Sequence, residues 1–419
     1  MLLTILQNLT LAVLGLLILY GAYFVVLAAV GIFRRTAPAP RAQRKARIAV
    51  VVAARNEEAV IGHLTDSLLA QDYPRDRFDV IVAPNNCTDK TADVAREHGA
   101  ELFFPEGVIR TKGDVLRQVV DKVILPREYD AMCVFDADNL VDGQYLQYIN
   151  DALQTGANAV QGFRDSKNPR QSAMSGCYSI CYWMLNRFYN RGRAALGLSS
   201  LISGSGFCLS RRMLEKLGGF CTTTMTEDYE ITAQCVLAGE SVRFSEEACF
   251  WDEQPLTFAQ SWRQRRRWTT GSLQGLEKYG RALFEQMVLK RSTVCMDLLL
   301  TFLVPLVQLI GFGVTLLSLA VTAPTGLVIG KVVIRGLRYV LLTLLVSIVG
   351  TVVSPAFVAV LTVLLERAPV GGMLRAIAMY WLFMLSWMIL TLLSFVNRKT
   401  TWDPIAHTSA KTLAQMREP

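Results

Sequence analysis

The sequence predicts an α/β domain, doubly wound around a mostly parallel sheet, inserted between apolar helices of membrane-spanning length. Three observations lead there. Apolar β-branched runs alternate with helical periodicity from residue 46 to residue 138. Four segments, 2–33, 300–322, 339–365 and 376–396, are almost free of charge and long enough to cross a bilayer. Residues 256–290 interleave aromatic and apolar side chains with basic ones, the pattern of amphipathic helices lying at a lipid interface.

The first apolar segment is too long for a signal-peptide core and lacks a basic start, so it reads as a retained anchor. Arg34, Arg35, Arg41, Arg44, Lys45 and Arg47 follow it and place that side in the cytoplasm. ARIAVVVAAR (46–55) is a strand run. EEAVIGHLTDSLLAQ (57–71) has helical spacing, and FDVIVAP (78–84) is again a strand. TADVAREHGA (91–100) is helical and stops at Gly99. ELFFPEG is short and extended, GDVLRQVVDKVIL (113–125) is helical, and DAMCVFDAD (130–138) is a buried strand running into acids. The expected divisions are an anchor at 1–35, the α/β domain at 36–255, interface helices at 256–292, membrane helices at 293–397 and a tail at 398–419. One anchor plus three later spans would put the tail outside, whereas Arg398, Lys399, Lys411 and Arg417 favour the cytoplasm; a cytoplasmic tail would bring Trp402 and His407 within reach of a site in that domain.

Composition narrows the function. The chain has 419 residues, 52% hydrophobic and 19% charged, with a net charge of +8 that suits an anionic leaflet and an anionic substrate. Four membrane segments argue against nucleic acid as the partner of this basic chain. Eight of its nine cysteines lie in the central domain without metal-site spacing and read as reduced, buried thiols. No G-x-G-x-x-G or P-loop lysine follows the first strand, which argues against dinucleotide or P-loop chemistry.

In a doubly wound sheet, ligands bind at the carboxyl ends of the strands. The polar residues to read are therefore Asn56 and Glu57, Asn85 to Asp89, and Asp136 to Asn139. Asp136 and Asp138 are either two hard oxygen donors for Mg²⁺ or Mn²⁺ or two acids capping a turn. Glu227 and Asp228 either complement a helix dipole, with Thr226 as N-cap, or supply a general base at Asp228. Gly204 and Ser205 in ISGSGF would let backbone approach a bulky ligand, or form an ordinary loop. Lys112 opens a helix and offers a cation to phosphate. Arg263, Arg265 and Arg266 fit a solvated basic face. Arg267 suits diphosphate oxygens, and Trp268 suits the face of a sugar ring.

Taken in order, Asn56-Glu57, NNCTD, Lys112-Gly113, DAD, GSGF, TED, DEQP and QRRRW resemble the membrane-embedded family 2 glycosyltransferases, the group of cellulose, hyaluronan, chitin-oligosaccharide and poly-N-acetylglucosamine synthases. The resemblance implies a GT-A-like fold and an inverting transfer from a nucleotide sugar to a polysaccharide or lipid acceptor at the cell membrane. It implies that Asp136 and Asp138 hold the metal and that Lys112 contacts the diphosphate. Glu57, Asn85 and Asp89 would line the nucleoside pocket. Asp228 would be the base, with Glu227 beside it near the acceptor. Gln264, Arg267 and Trp268 would close over diphosphate and acceptor, with Gly204 and Ser205 on the acceptor side. The leading expectation is a processive synthase; the alternative adds one sugar to a lipid. Where relatives often carry paired acids, this chain has Pro84-Asn85-Asn86, so UDP is an expectation resting on an amide rather than a carboxylate.

Overall fold

The computed structural model describes residues 2–325, 341, 345, 348–396 and 411–417. The chain starts with α1 (Leu2–Phe33) and enters the α/β domain at β1 (Ile48–Ala54). There follow α2 (Ile61–Leu69), β2 (Phe78–Pro84), α3 (Thr91–Glu97), β3 (Glu101–Leu102), α4 (Lys112–Val119) and β4 (Ala131–Asp136). The second half holds β5 (Leu140–Val141), α5 (Tyr145–Gln154), β6 (Ala159–Ser166), α6 (Ala173–Met184) and α7 (Arg191–Ala195). It continues with β7 (Phe207–Ser210), α8 (Arg211–Leu217), α9 (Glu227–Leu237) and β8 (Val242–Asp252). Beyond it run α10 (Phe258–Leu289), α11 (Thr293–Thr325), α12 (Ser354–Leu365), α13 (Val370–Val396) and α14 (Leu413–Arg417).

The eight strands form one sheet in the order β3-β2-β1-β4-β7-β6-β8-β5. Strands β3, β2, β1 and β4 are parallel neighbours, as the alternation of residues 46–138 predicts. The other half is mixed. Strand β7 runs antiparallel to both β4 and β6, β8 is parallel to β6, and β5 is antiparallel to β8. The expectation of a mostly parallel sheet therefore holds for half the domain only. It rested on residues before 139, and the reversal at β7 comes later in the chain.

Strand β1 explains why the sheet centre forms. Ile48, Val50 and Val52 pack into one layer with Ile61, Leu64 and Leu68 of α2. Ala49 and Val51 face the other layer with Val115, Leu116 and Val119 of α4. A strand buried on both faces needs a continuous apolar run, and each fully buried valine contributes roughly 1.5–3 kcal/mol.

Three helical segments, Ala12–Phe33, Thr293–Val314 and Val370–Val396, are long and apolar enough to cross a membrane. The expected span 339–365 lies partly outside the described residues; within them Val349–Leu365 is a shorter apolar helix. Two of the long helices are tied to the α/β domain. The Asp297 carboxylate of α11 accepts from Arg193 Nε at 2.7 Å and from Tyr23 Oη of α1 at 2.7 Å. Helix α13 packs on α6 so closely that a Cβ on Gly176 would stand 2.5 Å from the Cβ of Ala376.

Candidate active site

Two loops close the carboxyl ends of β1 and β2. Asn56 and Asn86 sit there with φ of 57° and 50°, a left-handed conformation that asparagine tolerates better than most residues. The loops are laced together. Thr88 N–H donates to Asn56 Oδ1 at 2.8 Å, and Glu57 N–H to Thr91 Oγ1 at 2.8 Å. The Asp89 carboxylate accepts from the Thr91 hydroxyl at 2.5 Å and from Glu58 N–H at 3.1 Å. Burial would raise its pKa, but these hydrogen bonds hold it below the ordinary range. Beside them lies a cleft of about 340 Å³ lined by Asn85, Asn86, Asp89, Phe104 and Ile109 among others. Asn85 and Asp89 thus share one cleft, whose lining does not include Glu57, and the Asp89 carboxylate is already engaged by the loop.

The acids meet at Lys112, the first residue of α4, whose start is fixed by a capping box between Thr111 and Asp114. Its ammonium donates to Asp136 Oδ1 at 2.5 Å and to the Gly204 carbonyl at 2.7 Å, and stands 3.7 Å from Glu227 Oε1. Burial alone would lower the Lys112 pKa, but Asp136 and Glu227 hold it above the usual lysine value. A Cβ on Gly204 would lie 3.5 Å from Asp228 Oδ2. Lys112, Asp136, Gly204, Glu227 and Asp228 therefore surround one space. Burial, then repulsion from Glu227, pushes the Asp228 carboxyl up to about 7. A carboxylate tuned to neutrality is suited to proton transfer. Thr226 occupies the N-cap position of α9, but its side chain makes no cap bond, so the expected hydroxyl cap is absent there.

A buried polar layer supports the two aspartates. Asp136 N–H donates to Ser205 Oγ at 3.0 Å, and that hydroxyl donates to Asn139 Oδ1. The Asn139 amide reaches Asp252 Oδ1 at 2.8 Å and Asp138 Oδ1 at 3.4 Å. Arg164 Nε donates to Asp252 Oδ2 at 3.0 Å. Ser205 is fully buried. Its hydroxyl props up Asp136 from below, which corrects the expected acceptor contact. Among the described residues no three His, Cys, Asp or Glu side chains converge into a ready-made metal cage. Asp136 and Asp138 fit an ion of the Mg²⁺ or Mn²⁺ type, which takes two carboxylates and completes its shell with phosphate oxygens and water.

Helix α10 packs against the start of α9, next to the acids. Gln264, Arg267 and Gly271 recur at i, i+3 and i+7 and share one face of the helix. On that face a Cβ at Gly271 would collide with the Thr226 side chain, next to Glu227. Trp268 turns instead into an aromatic cluster, stacked on Trp387 of α13 at 6.3 Å and edge-on to Tyr178 at 5.9 Å. One face of the expected sugar platform is therefore taken by protein. Arg265, expected on a solvated face, is fully buried. It donates from Nη1 to the Phe383 carbonyl at 2.9 Å and to Ser386 Oγ at 2.6 Å. Trp402 and His407 lie outside the described residues.

Sequence reading did not single out Arg164 or Lys167; it reached Asn139 only as the last of the residues after β4, and Asp252 only within DEQP, without a role for either. The one signal for Arg164 and Lys167 was position: both sit in or just beyond β6, in the run RDSKNP.

The chain matches the model of the family described as "Glycosyltransferase like family 2" over residues 46–271, more than half its length. It is 29% identical over 281 residues to the "Probable glycosyltransferase YdaM" of Bacillus subtilis (strain 168), covering 64% of this chain and 65% of that one. It is 26% identical over 265 residues to the "Beta-monoglucosyldiacylglycerol synthase" of Nostoc sp. (strain PCC 7120), covering 62% and 56%. The match thus spans less than two thirds of either relative. Among solved structures, the mannosyltransferase PcManGT of Pyrobaculum calidifontis, in complex with GDP-Man and Mn²⁺, superposes with a TM-score of 0.62 at 18% identity, covering 95% of this chain and 100% of that one. At that identity the likeness speaks to fold, which is the GT-A-like α/β arrangement.

Proposed function

The chain belongs to glycosyltransferase family 2 and is a hexosyltransferase, and from that premise we propose an inverting, metal-assisted transfer of a hexose from a nucleotide sugar to an acceptor held at the membrane surface. The observation that carries this reading is the convergence of Lys112, Asp136, Glu227 and Asp228 on one space beside Gly204.

The roles proposed here are those the resemblance implies, set onto that geometry. The nucleoside, expected to be uridine, occupies the cleft beside Asn85, with Asp89 shaping its rim and Glu57 in the loop hydrogen-bonded to Thr91 next to it. Asp136 and Asp138 would hold Mg²⁺ or Mn²⁺ against the diphosphate, and the ion would offset the charge of the departing group. Lys112, and Arg267 from the α10 face that meets Thr226, add fixed positive charge there; Gln264 shares that face. Asp228 takes the proton of the acceptor hydroxyl as its oxygen bonds to the anomeric carbon. The bond from that carbon to the diphosphate oxygen breaks on the opposite side, so an α-linked donor gives a β-linked product. Glu227 keeps Asp228 basic and holds Lys112.

Two observations favour a lipid hydroxyl as the acceptor. Trp268 is committed to packing on Trp387 and Tyr178, so an open platform for a sugar chain is reduced. The second is the match to a relative named as a glucosyldiacylglycerol synthase. Elongation of a β-linked polysaccharide, with or without export, is the second reading and is favoured by the Q-x-x-R-W run itself. In either case the catalytic domain faces the cytosol of a multi-pass protein in the cell membrane, with the basic stretch after α1 on that side. The test is a donor screen: purified protein, Mg²⁺ or Mn²⁺, a panel of nucleotide sugars, diacylglycerol-containing micelles, and measurement of released nucleoside diphosphate and product size. One glycolipid supports the first reading and a long polymer the second. No release with any donor contradicts both.

A further inference from the structure

Lys167 lies just past the end of β6, on the Asp138 side of the acids. It is 1% exposed, and its ammonium is buried without a hydrogen-bond partner. Leaving a buried donor unsatisfied costs free energy, so such a group signals a partner that arrives later. The charged groups acting on it are Asp138, Glu253, Asp252 and Lys411.

The backbone around this lysine is rigidly framed. Lys167 N–H donates to the Asp252 carbonyl at 2.8 Å. The Asn168 amide donates to the Gln254 carbonyl at 2.9 Å, and Gln254 N–H returns to Asn168 Oδ1 at 2.9 Å. Lys411, in the tail, donates to the Lys167 carbonyl at 2.6 Å and covers the segment from outside. These bonds fix the backbone on either side of the lysine, and burial keeps its ammonium out of solvent.

We propose that the Lys167 ammonium binds a hydroxyl of the transferred hexose, making it a residue that recognises the sugar rather than the nucleotide; this rests on the donor site assigned above. The chemistry of the nest selects the ligand. A phosphate oxygen placed here would face three carboxylates. A hydroxyl accepts from the ammonium and donates to a carboxylate at once, so it satisfies both sides of the gap. The opposite flank already has its cation in Lys112, which is hydrogen-bonded to Asp136.

The test is equilibrium binding by calorimetry to the full chain in detergent micelles with Mn²⁺. The probes are UDP, UDP-glucose, GDP and GDP-mannose, for wild type and Lys167→Met. The expected result is nucleoside diphosphate affinity within about twofold of wild type and at least about tenfold weaker binding of whichever nucleotide sugar the wild type holds. Because the substitution removes an unsatisfied buried charge, its melting temperature should equal or exceed that of wild type. Lys167→Gln, which keeps an N–H donor, should recover part of the lost sugar affinity. Parallel weakening of nucleotide and nucleotide sugar would show a phosphate contact and overturn the proposal, as would unchanged binding or a destabilised variant. A wild type that binds nucleoside diphosphates but neither sugar also overturns it, while leaving the nucleotide site standing. Binding of no probe at all removes the donor-site reading and this proposal with it.

Discussion

Lys112 and Asp136, 24 residues apart in sequence, meet at 2.5 Å between Nζ and Oδ1. One belongs to a helix start and the other to a strand end, so the pair exists only because α4 packs across β1 and β4. The same ammonium reaches the Gly204 carbonyl and approaches Glu227, tying three loops to one charge. Replacing it leaves partly buried acids uncompensated. Lys112→Met is expected to lower turnover by about 10²–10³-fold, the range for losing one preorganised donor at developing charge. Steady-state release of nucleoside diphosphate measures it, and a loss under about threefold would count against the role.

The acid limb of the pH–rate profile should fall near neutrality. Asp228 sits at about 7 in the folded protein against an ordinary 3.8, and a base works deprotonated. Activity should therefore rise as pH passes through 7 and fall below it. Glu227→Gln removes the second-largest cause of the upward shift, so the limb should move to lower pH. Asp252 is also pushed to about 7, by burial first and then by Asp138 and Asp136 against the opposing Arg164, and Glu227 is not among the main causes. A limb that stays in place in Glu227→Gln would assign it to Asp252 instead.

Gly204 has a φ of 81°, and a side chain there would stand beside the Asp228 carboxylate. Gly204→Ala should cost about 1–3 kcal/mol through backbone strain and slow turnover by crowding the place where the acceptor hydroxyl must arrive. Thermal melting and kcat/KM for the acceptor, measured together, separate the two effects.

Arg265 ties α10 to α13 through Phe383 and Ser386. Arg265→Ala should destabilise the detergent-solubilised protein by about 2–5 kcal/mol, as expected for a cavity combined with broken buried polar contacts. Arg265→Met, closer in volume, should lose less. Equal melting temperatures for wild type and both variants would show that this joint adds nothing to stability.

The sequence discloses β1, β2 and β4 and the polar residues at their ends because these strands are buried on both faces, and burial of that kind writes itself as continuous apolar runs. It discloses Asp228 as a candidate through the short TED string. It does not disclose the partners. Four arginines crowd residues 263–267, and helical spacing turns some of them inward, but the one that is buried depends on carbonyl and hydroxyl groups more than a hundred residues later in α13. Ser205 reads as loop because its hydroxyl is defined by Asp136 and Asn139, which come from another strand. Lys167 is hidden for the same reason: β6 meets β8 only across the later, mixed half of the sheet. Local signals mark where polar groups leave a strand, whereas tertiary pairing decides which of them are buried.

The most direct measurement compares donor binding and turnover in Asp228→Asn, an exchange that keeps size and removes the base. The expected result is nucleotide-sugar affinity within about twofold of wild type and turnover reduced by about 10²–10⁴-fold, the contribution of a positioned general base. Turnover equal to wild type in that variant would contradict the account.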